Sequence, residues 1–277
     1  MSHVLCFTNQ KGGVGKTTTA INLAAGLAAT GRRTLLVDMD GQANSTSGLG
    51  FERASSGARI YELLLGEAGE PDGVVLKTKY KHLDLLPSKV DLVGAEIELV
   101  GEENREGRLK KALEPFLDRY DYILIDSPPS LGLLTVNVLV ASQGVIIPVQ
   151  CEYYALEGLT QLWDTITRVR SGLNPALELV GVVMTMFDPR TNLSHQVVAE
   201  VKKFFGDKVF KTAIGRSVRL SEAPSYGMPI IHYDPRSTGA QAYTQLTQEV
   251  IHVIEEEAGA GQGARRIAAG EESSGAA

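Results

Sequence analysis

The chain has 277 residues, of which 43% are hydrophobic and 22% charged, and its formal net charge is -6. This composition is typical of a globular protein with one large core and excludes low-complexity or collagen-like chains. The negative balance argues against a protein that coats nucleic acid with its whole surface. The first residues lack the pattern of a secretion signal, and the most apolar window, residues 138–149, is too short to span a bilayer. We therefore expect a cytoplasmic protein.

Short apolar runs alternate with stretches of helical length along the chain, which is typical of a parallel sheet covered on both faces. The runs predict strands at residues 4–7, 34–37, 83–86, 122–125, 145–149 and 179–183. Between them, crossover helices are predicted at residues 17–29, 105–117 and 156–169. The sequence thus predicts an α/β fold with a doubly wound, mostly parallel sheet and helices on both faces.

The chain is expected to form a single domain over residues 1–257. Beyond that point the sequence is rich in Gly, Ala, Ser and Glu and has almost no large apolar residues. Such a segment buries too little apolar surface to offset its ordering entropy. We therefore predict a disordered tail over residues 258–277.

The stretch NQKGGVGKTTT, residues 9–19, follows the first predicted strand and precedes the first predicted helix. A phosphate-binding loop requires this context, because backbone N–H groups and the helix N-terminus then converge on anionic oxygens. Gln10 stands where the usual template has its first glycine, and Lys11 is an additional lysine. We expect Lys16 to reach the β- and γ-phosphates and the Thr17 hydroxyl to bind Mg²⁺. The predicted nucleotide-binding loop consists of Lys11, Gly12, Gly13, Val14, Gly15, Lys16, Thr17 and Thr18.

Two further segments place aspartates where predicted strands end. LLVDMD contains Asp38 and Asp40, and ILIDSPP contains Asp126. Ligands of open α/β sheets bind at the carboxyl ends of the strands. A single aspartate there is weak support, since Asp is common at turns. Together with the phosphate loop, the three strand ends predict a nucleotide site.

KGGVGKTTT, LLVDMD and IDSPPSLG together resemble the deviant Walker family of P-loop ATPases that includes MinD and ParA. The resemblance covers roughly residues 3–255, and segments 187–192 and 218–225 resemble the chromosomal ParA (Soj) branch in particular. It implies an ATPase with ATP as nucleotide and Mg²⁺ as cofactor. It also implies a homodimer in which two protomers close face to face around two ATP molecules.

The resemblance implies a role for individual residues. Lys11 is the signature lysine that reaches across the dimer interface to the partner's phosphates, as an arginine finger does. Asp40 positions the attacking water, and Glu152 contacts nucleotide across the interface. The predicted catalytic residues are Lys11, Lys16 and Asp40, and the predicted metal site is Thr17 with Asp38 and Asp126 as outer partners of Mg²⁺.

The chain departs from the family pattern at two places. After the second strand the family usually has Asp-Pro-Gln-Gly-Asn, whereas residues 40–44 read DGQAN, which exchanges the rigid and the flexible positions. We expect this to alter the switching geometry and the hydrolysis rate. Residues 215–217 read GRS where relatives commonly have Pro-Arg-Asn, which is expected to loosen the segment that carries Arg219.

Residues 190–219 contain seven Lys or Arg against two Asp or Glu. The resemblance implies an ATP-bound dimer that binds double-stranded DNA without sequence preference, with Arg190 and Arg219 at positions implicated in that contact. Phosphate contact requires charge and no base-edge geometry, so scattered cations suffice. Arg216, Lys202 and Lys203 are predicted neighbours, although the two lysines fit a solvated helix face equally well.

The resemblance therefore implies a nucleoid-associated DNA-partitioning ATPase that leaves DNA when a ParB-like partner stimulates hydrolysis. The alternative is a membrane-cycling regulator like MinD, which needs a C-terminal basic amphipathic helix. Residues 241–257 contain no Lys or Arg and end in three glutamates, which disfavours membrane binding.

An electron-transfer ATPase like nitrogenase iron protein needs cysteines at the dimer face. It is disfavoured because Cys6 lies in the first predicted strand.

Overall fold

The structure is a computed structural model that describes residues 2–52, 59–152 and 157–272. Its centre is a sheet in the order β3-β4-β2-β5-β1-β6-β7, in which only the β3–β4 pair is antiparallel. The strands are β1 (His3–Phe7), β2 (Thr34–Asp38), β3 (Leu76–Lys77), β4 (Leu83–Leu86), β5 (Tyr122–Asp126), β6 (Gly144–Gln150) and β7 (Glu178–Thr185). The doubly wound α/β fold and all six predicted strands are confirmed. β3 was not predicted, because two residues are too short for an alternation pattern.

The helices are α1 (Lys16–Ala29), α2 (Asn44–Gly48), α3 (Ile60–Leu65), α4 (Leu92–Glu98), α5 (Arg108–Leu113), α6 (Leu133–Ala141), α7 (Glu157–Gly172), α8 (Asn192–Phe205), α9 (Val218–Glu222), α10 (Ile230–Tyr233) and α11 (Thr238–Glu272). The helix predicted at 105–117 is instead divided into α5 and two flanking 3₁₀ turns. Pro115 contributes to this division, since it lacks the amide hydrogen that a continuous helix would use. The predicted start of α7, Leu156, lies outside the described residues.

The sheet is buried on both faces, and alternate residues of β1 contribute to the two sides. Val4 and Cys6 belong to the core beneath α4 to α8, whereas Leu5 and Phe7 pack with α1, α10 and α11. Burial on both sides explains why the strands read as continuous apolar runs. Cys6 and Cys151 are both buried free cysteines, as expected of core residues.

Helix α11 packs a buried stripe of Tyr243, Leu246, Val250 and Ile254 against the sheet. Its backbone continues to Glu272, within the segment where composition predicts a disordered tail. The side chains beyond Glu256 lie outside the described residues, and the domain boundary at residue 257 stays a prediction. In the described part of the chain, no helix is long and apolar enough to cross a membrane.

Candidate nucleotide site

The predicted phosphate loop lies between β1 and α1, at the carboxyl edge of the sheet. Gly13 and Gly15 have φ angles of 75° and 89°, a region that favours glycine, and Gly15 caps the N-terminus of α1. Asn9 anchors the loop, because its Nδ2 donates to the carbonyl of Pro148 at 2.7 Å and its Oδ1 accepts from the backbone N–H of Lys11 at 3.0 Å. A glycine-rich turn that leads into a helix N-terminus is the geometry that an anion-binding loop requires.

Lys16 lies inside the loop. It is only 7% exposed, and its Nζ donates to the carbonyl oxygen of Lys11 at 3.2 Å. Burial lowers the pKa of Lys16, and the carboxylates of Asp126 and Asp40 oppose this effect. A desolvated ammonium group at this position is a strong partner for an anionic phosphate.

Lys11 occupies the rim of the site instead. Its Nζ lies 3.6 Å from Oε2 of Glu152, and both side chains are about two-fifths exposed. The other oxygen of Glu152 accepts a hydrogen bond from Arg216 at 2.9 Å. The structure thus separates the two lysines of the loop. Lys16 points into the phosphate cradle, and Lys11 pairs with a carboxylate outside it.

Asp38 and Asp126 are directly paired on the neighbouring strands β2 and β5 and are completely buried. Burial, followed by the charge of Asp126, raises the pKa of Asp38 to about 7, and burial raises the pKa of Asp126 to about 6. Asp38 is held in place, since it accepts hydrogen bonds from Thr46 and from the backbone N–H of Asp40. Two adjacent buried carboxylates favour binding of a cation.

The residues present fit Mg²⁺. Oδ2 of Asp126 accepts from the Ser45 hydroxyl at 2.8 Å, whereas its Oδ1 is buried and makes no hydrogen bond to any described residue. The Thr17 hydroxyl lowers the pKa of the same carboxyl group. Mg²⁺ is commonly bound through one or two carboxylates together with nucleotide phosphates and water, so a large cluster of protein ligands is not needed.

Asp40 lies at the start of a tight loop next to these carboxylates. It is 9% exposed, its Oδ1 accepts from the N–H of Gln42, and its carbonyl accepts from the N–H of Ala43. Ala43 is buried with a φ of 52°, a left-handed conformation that costs an alanine about 1 kcal/mol. At Gly41 an added Cβ would lie 2.8 Å from Cγ2 of Val93. The two exchanged positions therefore differ in structure. Position 41 is crowded by Val93, and position 43 has a left-handed backbone that glycine would adopt more easily than alanine.

A cavity of about 550 Å³ opens beside the phosphate loop. It fits the nucleoside part of a nucleotide in position, size and mixed polarity. The far wall of the cavity was not predicted. Residues 218–225 resemble the family in sequence, but this segment is distant from the phosphate loop along the chain, and nothing in its pattern indicates that it faces the nucleotide. The lining includes Gly15, Thr18, Met186, Gly215, Val218 and Pro224.

The three predicted DNA-contacting arginines, which we call the arginine group, lie in the loop before α8 and at the start of α9. Arg190 forms two hydrogen bonds with Asp188, at 2.9 and 2.8 Å, and its side chain is 85% exposed. The backbone N–H of Arg216 donates to the carbonyl of Phe187, which joins its segment to the loop before α8. Arg219 lies 3.0 Å from Glu222 in α9.

The two predicted lysines lie elsewhere. Lys202 and Lys203 belong to the last turn of α8, whereas Arg190 precedes its first turn. At 1.5 Å per residue this separates them by roughly 15 Å along the helix. The structure therefore places the two lysines at the opposite end of α8 from Arg190.

Comparison with known proteins agrees with the fold and identifies a family. The family described as an AAA domain matches residues 2–179. The sporulation initiation inhibitor protein Soj of Bacillus subtilis is 57% identical over 250 residues, which cover 90% of this chain and 98% of that protein. The chromosome partitioning protein ParA of Myxococcus xanthus is 53% identical over 251 residues, covering 91% and 88%.

A solved structure supports the same fold. Cobyrinic acid a,c-diamide synthase from Mycobacterium smegmatis, with bound ADP and magnesium, superposes with a TM-score of 0.79 at 38% identity and covers 90% of this chain and 93% of that one. The phosphate loop, the parallel sheet and the paired aspartates define a P-loop ATPase. The chain belongs to the ParA/Soj family of chromosome-partitioning ATPases.

Proposed function

We propose that this protein is a DNA-partitioning ATPase that hydrolyses ATP with Mg²⁺, binds double-stranded DNA as an ATP-bound homodimer and is released when a ParB-like partner stimulates hydrolysis. The observation that supports this best is the separation of the two lysines. One bound triphosphate needs the buried Lys16, whereas Lys11 lies at the rim, 3.6 Å from a carboxylate. A second protomer that brings its own nucleotide to the rim provides phosphates within reach of Lys11.

Different residues of the site serve different steps of the proposed ATP hydrolysis. Lys16 and the loop N–H groups bind the β- and γ-phosphates. Thr17 would hold Mg²⁺, with Asp38 and Asp126 as its outer partners, and the ion would neutralise charge on the phosphate oxygens. Asp40 orients the attacking water. Because phosphoryl transfer passes through a loose transition state, orientation suffices and full deprotonation is not needed beforehand. Lys11 of one protomer leaves Glu152 and stabilises the charge that develops at the partner's nucleotide.

The arginine group provides the proposed DNA contact. Arg190, Arg216 and Arg219 each pair with a carboxylate of their own chain, so DNA phosphates replace those partners when DNA binds. Exposed pairs of this kind contribute little to stability, so replacing the carboxylate by a DNA phosphate costs little free energy. Closure of the dimer doubles the number of arginines that face one duplex and raises affinity through effective concentration.

The membrane-cycling alternative gains no support from α11. A membrane-binding helix needs an exposed apolar face, whereas Tyr243, Leu246, Val250 and Ile254 of α11 are at most 5% exposed. These side chains belong to the core of the domain. For the part of α11 whose side chains are described, the helix has a structural role.

DNA co-sedimentation with Mg-ATP, with Mg-ADP and without nucleotide tests the proposal. We expect DNA to retain the protein with ATP only, and to the same extent for unrelated sequences. The Lys16→Ala variant is the control, since it should remain unbound in all three conditions. Equal retention with and without ATP, or retention by anionic vesicles in place of DNA, would contradict the proposal.

A further inference from the structure

Helix α4, together with the turns before and after it, is apolar on two opposite sides. Leu92, Ala95 and Leu99 form the inner side and are fully buried in the core. The outer side exposes a second set of large apolar residues, which we call the outer stripe. It consists of Val90, Val93, Ile97 and Val100, which are 69%, 64%, 78% and 60% exposed.

The spacing of the outer stripe, three, four and three residues, places its members along one face of the helix. A contiguous exposed apolar surface marks an interaction site. The charged residues between the stripe positions have partners of their own, and Asp91 lies 3.3 Å from Lys89. Glu96 accepts a hydrogen bond from the N–H of Leu134, and Glu98 accepts one from the Tyr61 hydroxyl.

The outer stripe adjoins the catalytic loops. Cγ2 of Val93 lies 2.8 Å from where a Cβ of Gly41 would be, directly after Asp40. On the other side, the carboxyl group of Glu96 packs against Gly132, in the loop that follows Asp126. Helix α4 therefore contacts both loops that carry the predicted catalytic and metal-binding aspartates.

We propose that the outer stripe packs against a second copy of this chain in the ATP-bound dimer, and that Val93 transmits this contact to the Asp40 loop. The proposal rests on the proposed function, in which Lys11 reaches the partner's nucleotide and the partner therefore covers this edge of the sheet. The stripe is continuous with that edge. It is also uncharged, so it can face its own copy across a two-fold axis without any complementary charge.

The role of Gly41 follows from this arrangement. Since position 41 has no side chain, Val93 can approach the loop backbone closely, and pressure on the outer stripe acts directly on the residue after Asp40. Dimerisation and the position of the attacking water are then coupled through a single van der Waals contact.

Cysteine cross-linking tests the location of the interface. The only two cysteines of the chain, Cys6 and Cys151, are buried, so a single introduced thiol is the reactive one. Each position of the outer stripe is replaced by cysteine in turn and treated with a short bifunctional maleimide. We expect at least one variant to form a covalent dimer with Mg²⁺ and a non-hydrolysable ATP analogue and not with ADP. Phe204→Cys, at an exposed apolar position on α8, is the control that should not. Absence of ATP-dependent cross-links at all four positions would overturn the proposal.

Introducing a charge tests how much the outer stripe contributes to the free energy of dimerisation. Ile97→Glu should leave nucleotide affinity of the monomer unchanged and weaken ATP-dependent dimerisation at least about tenfold, because it would bury an unpaired charge. Phe204→Glu should dimerise like the wild type. A wild-type protein that stays monomeric with ATP would refute the proposed function itself. If the wild type dimerises and Ile97→Glu dimerises equally well, the outer stripe is not part of the dimer interface, and the proposed function still stands. The proposal for the outer stripe also fails if Ile97→Glu dimerises normally but no longer responds to a ParB-like partner or to vesicles, since another occupant would then cover the stripe.

Discussion

The phosphate loop and the arginine group perform the two halves of the proposed activity, and they are built in opposite ways. Lys16 is buried in a loop that Asn9 ties to β6 and that Thr185 ties to β7, with the Thr185 hydroxyl donating to the carbonyl of Val14 at 2.8 Å. Arg190, by contrast, is 85% exposed and pairs with Asp188 two residues away. A substitution in the buried loop should therefore abolish one step completely. A substitution among the exposed arginines should reduce binding by one charge at a time.

The largest effect is expected for Lys16→Ala. The substitution removes the only buried ammonium group that faces the predicted phosphate position in the described structure, and charge-assisted hydrogen bonds are among the strongest in proteins. ATP affinity should fall by about 100-fold or more, as measured by calorimetry or with a fluorescent analogue. Unchanged affinity would show that the loop does not bind phosphate.

Asp40→Ala is expected to separate binding from hydrolysis. The variant keeps the phosphate loop, Lys11 and the metal ligands, so ATP should still bind and the dimer should still close. Removing a carboxylate near the phosphates should also relieve like-charge repulsion and tighten ATP slightly. Phosphate release should fall by about 100-fold, the size expected when a catalytic positioning group is removed. The protein should then remain on DNA after excess Mg-ATP is chelated. Departure from DNA at the wild-type rate would show that another residue positions the water.

Arg219→Ala tests whether the exposed arginines bind DNA. DNA affinity should fall about equally for all sequences, and the slope of log K against log salt should decrease by about 0.9 for each DNA phosphate that the variant no longer neutralises. Lys203→Ala is the matched control, because Lys203 forms an i,i+3 ion pair with Glu200 just as Arg219 does with Glu222. Since Lys203 lies at the opposite end of α8 from Arg190, its slope should equal that of the wild type. Equal slopes for both variants would show that Arg219 does not bind DNA.

The smallest effect concerns pH. Asp38 has an ordinary pKa of 3.8 and a folded-state pKa of about 7, so the folded chain binds more protons than the unfolded chain between these values. The free energy of unfolding of the nucleotide-free protein should therefore decrease as pH rises from about 4 to about 7. Chemical denaturation at several pH values measures this. Asp38→Asn should flatten the profile, and a wild-type profile that rises over this range would contradict the raised pKa.

The strands and the phosphate loop could be predicted because their signals are local. Tyr122–Asp126 reads as a buried run ending in an aspartate, and the loop sequence is compact. Three features could not be predicted. The pairing of Lys11 with Glu152 joins residues that are distant in the sequence, and the cavity beside the phosphate loop is lined by segments that are separate in the sequence. The outer stripe of α4 is apolar in the same sequence window as the inner side, so only the packing of the fold reveals which residues face solvent.

The central claim is that Lys11 acts on the nucleotide of the partner protomer, and mixing two inactive variants tests it most directly. Lys11→Ala and Asp40→Ala should each lack ATPase activity. In a mixed dimer, one site combines the intact Asp40 of the first variant with the intact Lys11 of the second, so one site in two should work. With random mixing at equal amounts, about a quarter of wild-type activity should return, since half of the dimers are mixed and each has one complete site. If activity does not return, although the variants are shown to form mixed dimers, Lys11 acts within its own protomer and the proposed mechanism is wrong.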